Sequence, residues 1–111
     1  MQIQISFQGL AHSNAVQGAI VERAGKLERF YEHLVSCRVV VALGARHKQH
    51  GNEYEVHIDL KVPGGEIAVT HAHNADVHVA LRDAFNAATR RLEDYARRQR
   101  GDVKQHSQPK V

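Results

Sequence analysis

The chain has 111 residues, with 15 Lys and Arg against 12 Asp and Glu and a formal net charge of +3. That length supports one domain around a single core; no apolar run reaches the roughly 18 residues of a membrane helix, and the lone cysteine, Cys37, has no internal disulfide partner, which fits a reducing, cytoplasmic setting. Charge is unevenly placed, since residues 1–81 hold seven basic against eight acidic side chains and residues 82–111 hold eight against four.

The opening Met1-Gln2-Ile3-Gln4 reads as a strand and lacks the basic-then-apolar pattern of a signal segment. Ile3, Ile5 and Phe7 alternate with Gln2, Gln4 and Ser6, the period of a half-buried strand. Ser13 is a helix cap, and Val16, Ile20, Ala24, Leu27, Tyr31 and Leu34 follow at helical spacing, so a helix is predicted over about 13–35. Glu22, Lys26, Arg29 and His33 fall on its opposite face.

Cys37 to Leu43 is β-branched and nearly all apolar, as in a central strand. After the polar stretch 44–52, Tyr54, Val56, Ile58, Leu60 and Val62 alternate with Glu53, Glu55, His57, Asp59 and Lys61, which predicts a strand with one apolar face. Pro63-Gly64-Gly65 is a turn signal, and Glu66 to His73 reads as a fourth strand. Asp76 is a cap for a last helix running to Arg98 or Arg100, with Val77, Leu81, Ala84, Phe85, Ala88, Leu92 and Tyr95 as its buried stripe. Gly101 is a stop signal, and residues 101–111 read as a flexible tail or a truncated linker.

The element order is therefore β-α-β-β-β-α, an α+β two-layer sandwich. A parallel strand-helix-strand crossover would feed an antiparallel meander, giving a four-stranded mixed sheet covered on one face by both helices. Small residues at Ala80, Ala84 and Ala87 allow close approach of the second helix to the first.

The chemistry concentrates in arginines. Arg90 and Arg97, seven residues apart, project from the outer face of the last helix; Arg91 and Arg98 lie along one edge, and Arg82 and Arg100 along the other. Guanidinium groups match phosphate oxygens through several donors in a rigid fork, and such contacts give affinity without reading sequence. The competing reading is a solvated face in which Glu93 pairs with Arg97 and Asp94 with Arg98 at i,i+4. The segment Arg46 to His50, including Lys48, adds charge at a hairpin end. Gly18 and Gly25 on the exposed face of the first helix admit either close approach of a bulky partner or tolerated drift, each costing about 1 kcal/mol relative to Ala.

Nine histidines do not assemble a ligand set: His71, His73 and His78 have no cysteine or carboxylate to complete a zinc site, and His47 and His50 have no second pair. There is no nucleophile elbow, phosphate-binding Gly-Lys-Ser/Thr loop or His-Glu-x-x-His motif. No catalytic residue, metal, cofactor or small-molecule substrate is expected.

Gly64-Gly65-Glu66-Ile67, the helix entry Asp76-Val77-His78-Val79-Ala80-Leu81-Arg82-Asp83 and Arg90 within a basic helix strongly resemble the ribosome hibernation-promoting factors, which include the ribosome-associated translation inhibitors. Ser13 and Lys26-Leu27-Glu28-Arg29-Phe30 match more loosely, and the resemblance spans residues 1–100. It implies a non-enzymatic factor that occupies the mRNA and tRNA channel of the small ribosomal subunit and blocks translation. It also implies a fold similar to double-stranded-RNA-binding domains with an added first strand. On this reading Arg82, Arg90, Arg91, Arg97 and Arg98 contact rRNA phosphates, with Lys26, Arg29 and Lys48 as secondary contacts. The tail from Gly101 is similar to the linker that, in some relatives, leads to a cold-shock-type domain, so the chain is either a short form or a domain cut from a longer protein. The alternative is a homodimeric interaction module, with Val40, Ala42, Ala68 and Ala72 on the outer sheet face.

Overall fold

A computed structural model describes residues 1–44 and 53–101, the side chains of residues 71–73 excepted. The order is β1 (Gln2–Gln8), α1 (Asn14–Phe30), β2 (Ser36–Gly44), β3 (Glu53–Val62), β4 (Gly65–Asn74) and α2 (Val77–Gln99). The four strands form one sheet in the order β1-β2-β3-β4. β1 runs parallel to β2, with Ile5 opposite Val39, and the other two pairings are antiparallel, with Val39 opposite Ile58 and Ile58 opposite Val69. This is the predicted α+β architecture.

Strand alternation places the core. Cys37, Val39 and Val41 of β2, Val56, Ile58, Leu60 and Val62 of β3, and Ile67 and Val69 of β4 are buried on one face. Both helices cover it, α1 packing on β1 and α2 on β3 and β4, with the helices in mutual contact. From α1 come Val16, Ile20, Ala24 and Leu27; from α2 come Ala80, Leu81, Ala84, Phe85, Ala88, Leu92 and Ala96. Each large apolar side chain so buried contributes about 1.5–3 kcal/mol relative to exposure. No polar or charged residue among those described is buried.

Both predicted caps form. The Ser13 hydroxyl accepts from the Val16 amide at 3.2 Å, and the Asp76 carboxylate accepts from the amides of His78 at 2.8 Å and Val79 at 3.4 Å. α2 ends where Gly101 takes φ +93 and its amide donates to the Arg98 carbonyl at 3.1 Å.

The first helix is shorter than its apolar spacing predicts. It stops at Phe30, with the Tyr31 amide donating to the Leu27 carbonyl at 2.8 Å. By Val35 the backbone has joined the sheet: its amide donates to the Lys61 carbonyl at 2.8 Å, and its carbonyl accepts from the Gln2 amide at 3.2 Å. Leu34 is buried from the intervening turn, which is why the spacing continues past the helix. At the β3–β4 turn, Gly64 has φ +86, a conformation glycine adopts without a Cβ penalty. Tyr95 of α2 donates its hydroxyl to the Pro63 carbonyl, tying this turn to the helix.

Candidate nucleic-acid interface

At about 100° per residue, the burial of Leu81, Phe85 and Leu92 turns positions 90 and 97 directly away from the sheet. Arg90 and Arg97 are exposed there, as the spacing predicts. Arg97 pairs with Asp94 at i,i+3, so the expected Glu93–Arg97 and Asp94–Arg98 partners give way to a different one. Both members of this pair are half exposed, at 53%. Contacts of this kind contribute about 0–1 kcal/mol and exchange readily for other partners. No hydrogen bond or ion pair among the described residues engages Arg90.

The two flanks differ. On one, Arg91 reaches the edge strand and donates from Nη1 to the Ala68 carbonyl at 3.1 Å, with Arg98 exposed further along. On the other, Arg82 donates to Oδ1 of its neighbour Asp83 through Nε at 3.2 Å and Nη2 at 3.1 Å. The five candidate arginines thus share one helix without forming one cluster.

Across from α2, Lys26 and Arg29 are exposed on α1, but only Lys26 faces the second helix. A groove of about 280 Å³ runs between the helices, lined by Arg23, Lys26, Leu27 and Phe30 from α1 and by Phe85, Asn86 and Thr89 from α2. Arg23 and Phe30 are additions that sequence reasoning missed. Their signal was position: Arg23 stands three residues before Lys26, and Phe30 three after Leu27, both on the flank turned to α2. Lys48, with the rest of the 46–50 segment, lies outside the described residues.

The outer sheet face is polar. Arg38 stands opposite Asp59 and Val40 opposite His57, whose imidazole lies 3.0 Å from the Thr70 hydroxyl and 3.2 Å from a Glu55 carboxylate oxygen. Val40, Ala42 and Ala68 share that face with these charges, and the side chain of Ala72 lies outside the described residues. Among the described residues no three His, Cys, Asp or Glu side chains converge in a way that would hold a metal ion, and no helix is long and apolar enough to cross a membrane.

The family model for sigma 54 modulation protein / S30EA ribosomal protein matches residues 3–100. Among solved structures, a ribosomal subunit interface protein from Coxiella burnetii superposes with a TM-score of 0.75 at 16% identity, covering 86% of this chain and 98% of that one. The N-terminal domain of Protein Y from Thermus thermophilus superposes with a TM-score of 0.72 at 19% identity, covering 86% of this chain and 99% of that one. At such identities the likeness is one of fold. No curated protein matches the chain.

Proposed function

The chain belongs to the sigma 54 modulation protein / S30EA ribosomal protein family, and on that premise we propose that it is a cytoplasmic ribosome-binding stasis factor. In this reading it occupies the mRNA and tRNA channel of the small subunit and inhibits translation by steric exclusion. The observation that carries the reading is the placement of charge. Arg90 and Arg97 project from the side of α2 opposite a wholly apolar core, and Lys26 and Arg23 line the adjoining groove between the helices. A helical layer of this kind presents guanidinium and ammonium groups to a phosphate backbone, and it needs no catalytic group.

Arg90, Arg97 and Lys26 are assigned the main phosphate contacts, with Arg82, Arg91, Arg98 and Arg29 on the flanks. Because phosphate binding releases counterions, association weakens as salt rises. Co-sedimentation of the folded protein with purified small subunits at low and moderate salt tests the proposal. Pelleting at low salt that declines with salt is the expected result, together with reduced output from a translation extract. Absence of pelleting at low salt removes the reading.

A further inference from the structure

Phe30, the last residue of α1, leaves 48% of its surface exposed although it is a large apolar side chain. It borders two depressions. One is the groove with Arg23 and Lys26. The other is a cleft of about 510 Å³ lined by Phe30, Tyr31, His33, Pro63, Ala96, Gln99 and Arg100. Cavities of roughly 300–1,000 Å³ are the size of small-molecule sites.

The aromatic wall is held in place. Tyr31 meets His33 edge-on at 5.4 Å and Tyr95 edge-on at 6.3 Å, and the Tyr95 hydroxyl is fixed on the Pro63 carbonyl. A basic groove leading to the exposed Phe30 ring beside the braced Tyr31 ring is the arrangement that captures single-stranded nucleic acid, with phosphates on the cations and bases stacked on the rings. Gln99 adds an amide donor and acceptor for a base edge.

We infer that this cleft receives an unstacked nucleobase from a single RNA strand whose phosphates follow the Arg23–Lys26 groove. The inference rests on the proposed rRNA partner and deepens it, because it adds a requirement for an unpaired base that phosphate contacts alone do not impose. Tyr31 suits the role as a neutral ring: desolvation and the Tyr95 phenol raise its pKa.

The probe is a single-stranded octaribonucleotide carrying one 2-aminopurine. Saturating wild-type protein quenches its emission by stacking. Phe30→Ala abolishes the quench and weakens binding by roughly 5- to 150-fold, the range for losing one base–aromatic stack. Phe30→Trp retains the quench. Because the Phe30 ring is half exposed, the Ala variant keeps its circular dichroism, and Lys26→Ala lowers the salt slope without removing the quench. Unchanged emission at saturation, or an equal quench by folded Phe30→Ala, overturns the inference; so does a dimer in light scattering that Phe30→Ala dissociates while the probe stays unquenched. Small-subunit pelleting separates the two claims: pelleting without quench sinks the cleft, and quench without pelleting sinks the ribosome.

Discussion

Replacing Arg90 and Arg97 together with Ala isolates the phosphate role from folding. Both side chains are exposed, and the one ion pair lost, Arg97 with Asp94, is half exposed on both sides. Its loss costs about 0–1 kcal/mol, and Ala is the best helix former, so the urea midpoint should barely move. The formal net charge falls from +3 to +1. Each phosphate contact adds about 0.7–0.9 to the slope of log affinity against log salt. Between about 50 and 200 mM salt, one contact therefore accounts for roughly a threefold loss of affinity, and two for about seven- to twelvefold. Small-subunit binding by the variant should be weaker at low salt and less salt-sensitive by that factor. Asp94→Asn is the opposite perturbation, since it releases Arg97 and should steepen the slope. An unchanged slope in the double variant would refute the assignment and return these arginines to a solvated face.

Leu92 is fully buried, so Leu92→Ala should destabilise by about 2–5 kcal/mol through a core cavity, read as a lower urea midpoint. Gly18→Ala should stabilise by about 1 kcal/mol, because an added Cβ meets nothing within 4 Å; a simultaneous loss of subunit binding would identify Gly18 as a point of close approach. Cys37 should resist thiol reagents in the native protein at pH 8 and react once urea unfolds it. Burial first, and Asp59 second, push its thiol up from 9.0 to about 11. The folded pKa lies above the unfolded one, so its contribution to stability is present below about pH 9 and is lost as pH rises through about 11, a decline that denaturation midpoints would record.

Most of the fold was legible because period and capping agreed. The alternation in β3 separates Val56, Ile58 and Leu60 from His57, Asp59 and Lys61, and the observed pairing keeps that division. Ser13 and Asp76 are read directly as caps, because their side chains are the acceptors that orphan helix amides need. The end of α1 was not legible. Tyr31 and Leu34 continue the helical spacing, but Tyr31 is the half-buried cap and Leu34 is buried from a turn whose geometry is set by sheet pairing at Val35, a non-local constraint. The candidate interface was read only in part for a similar reason. Helical angle locates Arg90 and Arg97, whereas the choice of Asp94 over Glu93 as partner is made by side-chain rotamers. The value of Arg23 and Phe30 arises from α2 lying beside them, which one helix's pattern does not report.

Arg91 does not belong with Arg90 and Arg97, although the three share a helix. β4 is an edge strand, and unpaired carbonyls on an edge invite pairing with another chain. The Arg91 guanidinium occupies one of them, on Ala68, so this side chain covers the edge at the point where the helix overhangs it. Its planar fork carries five donors, so holding one carbonyl leaves others for a phosphate. The core makes this division of labour feasible. With no buried polar or charged residue among those described, no side-chain ion pair is needed inside the core. Arg82 and Arg97 pair with acidic neighbours on their own helix, whereas Arg91 bonds to the sheet edge, so Arg91→Ala should promote edge-to-edge self-association, read by light scattering.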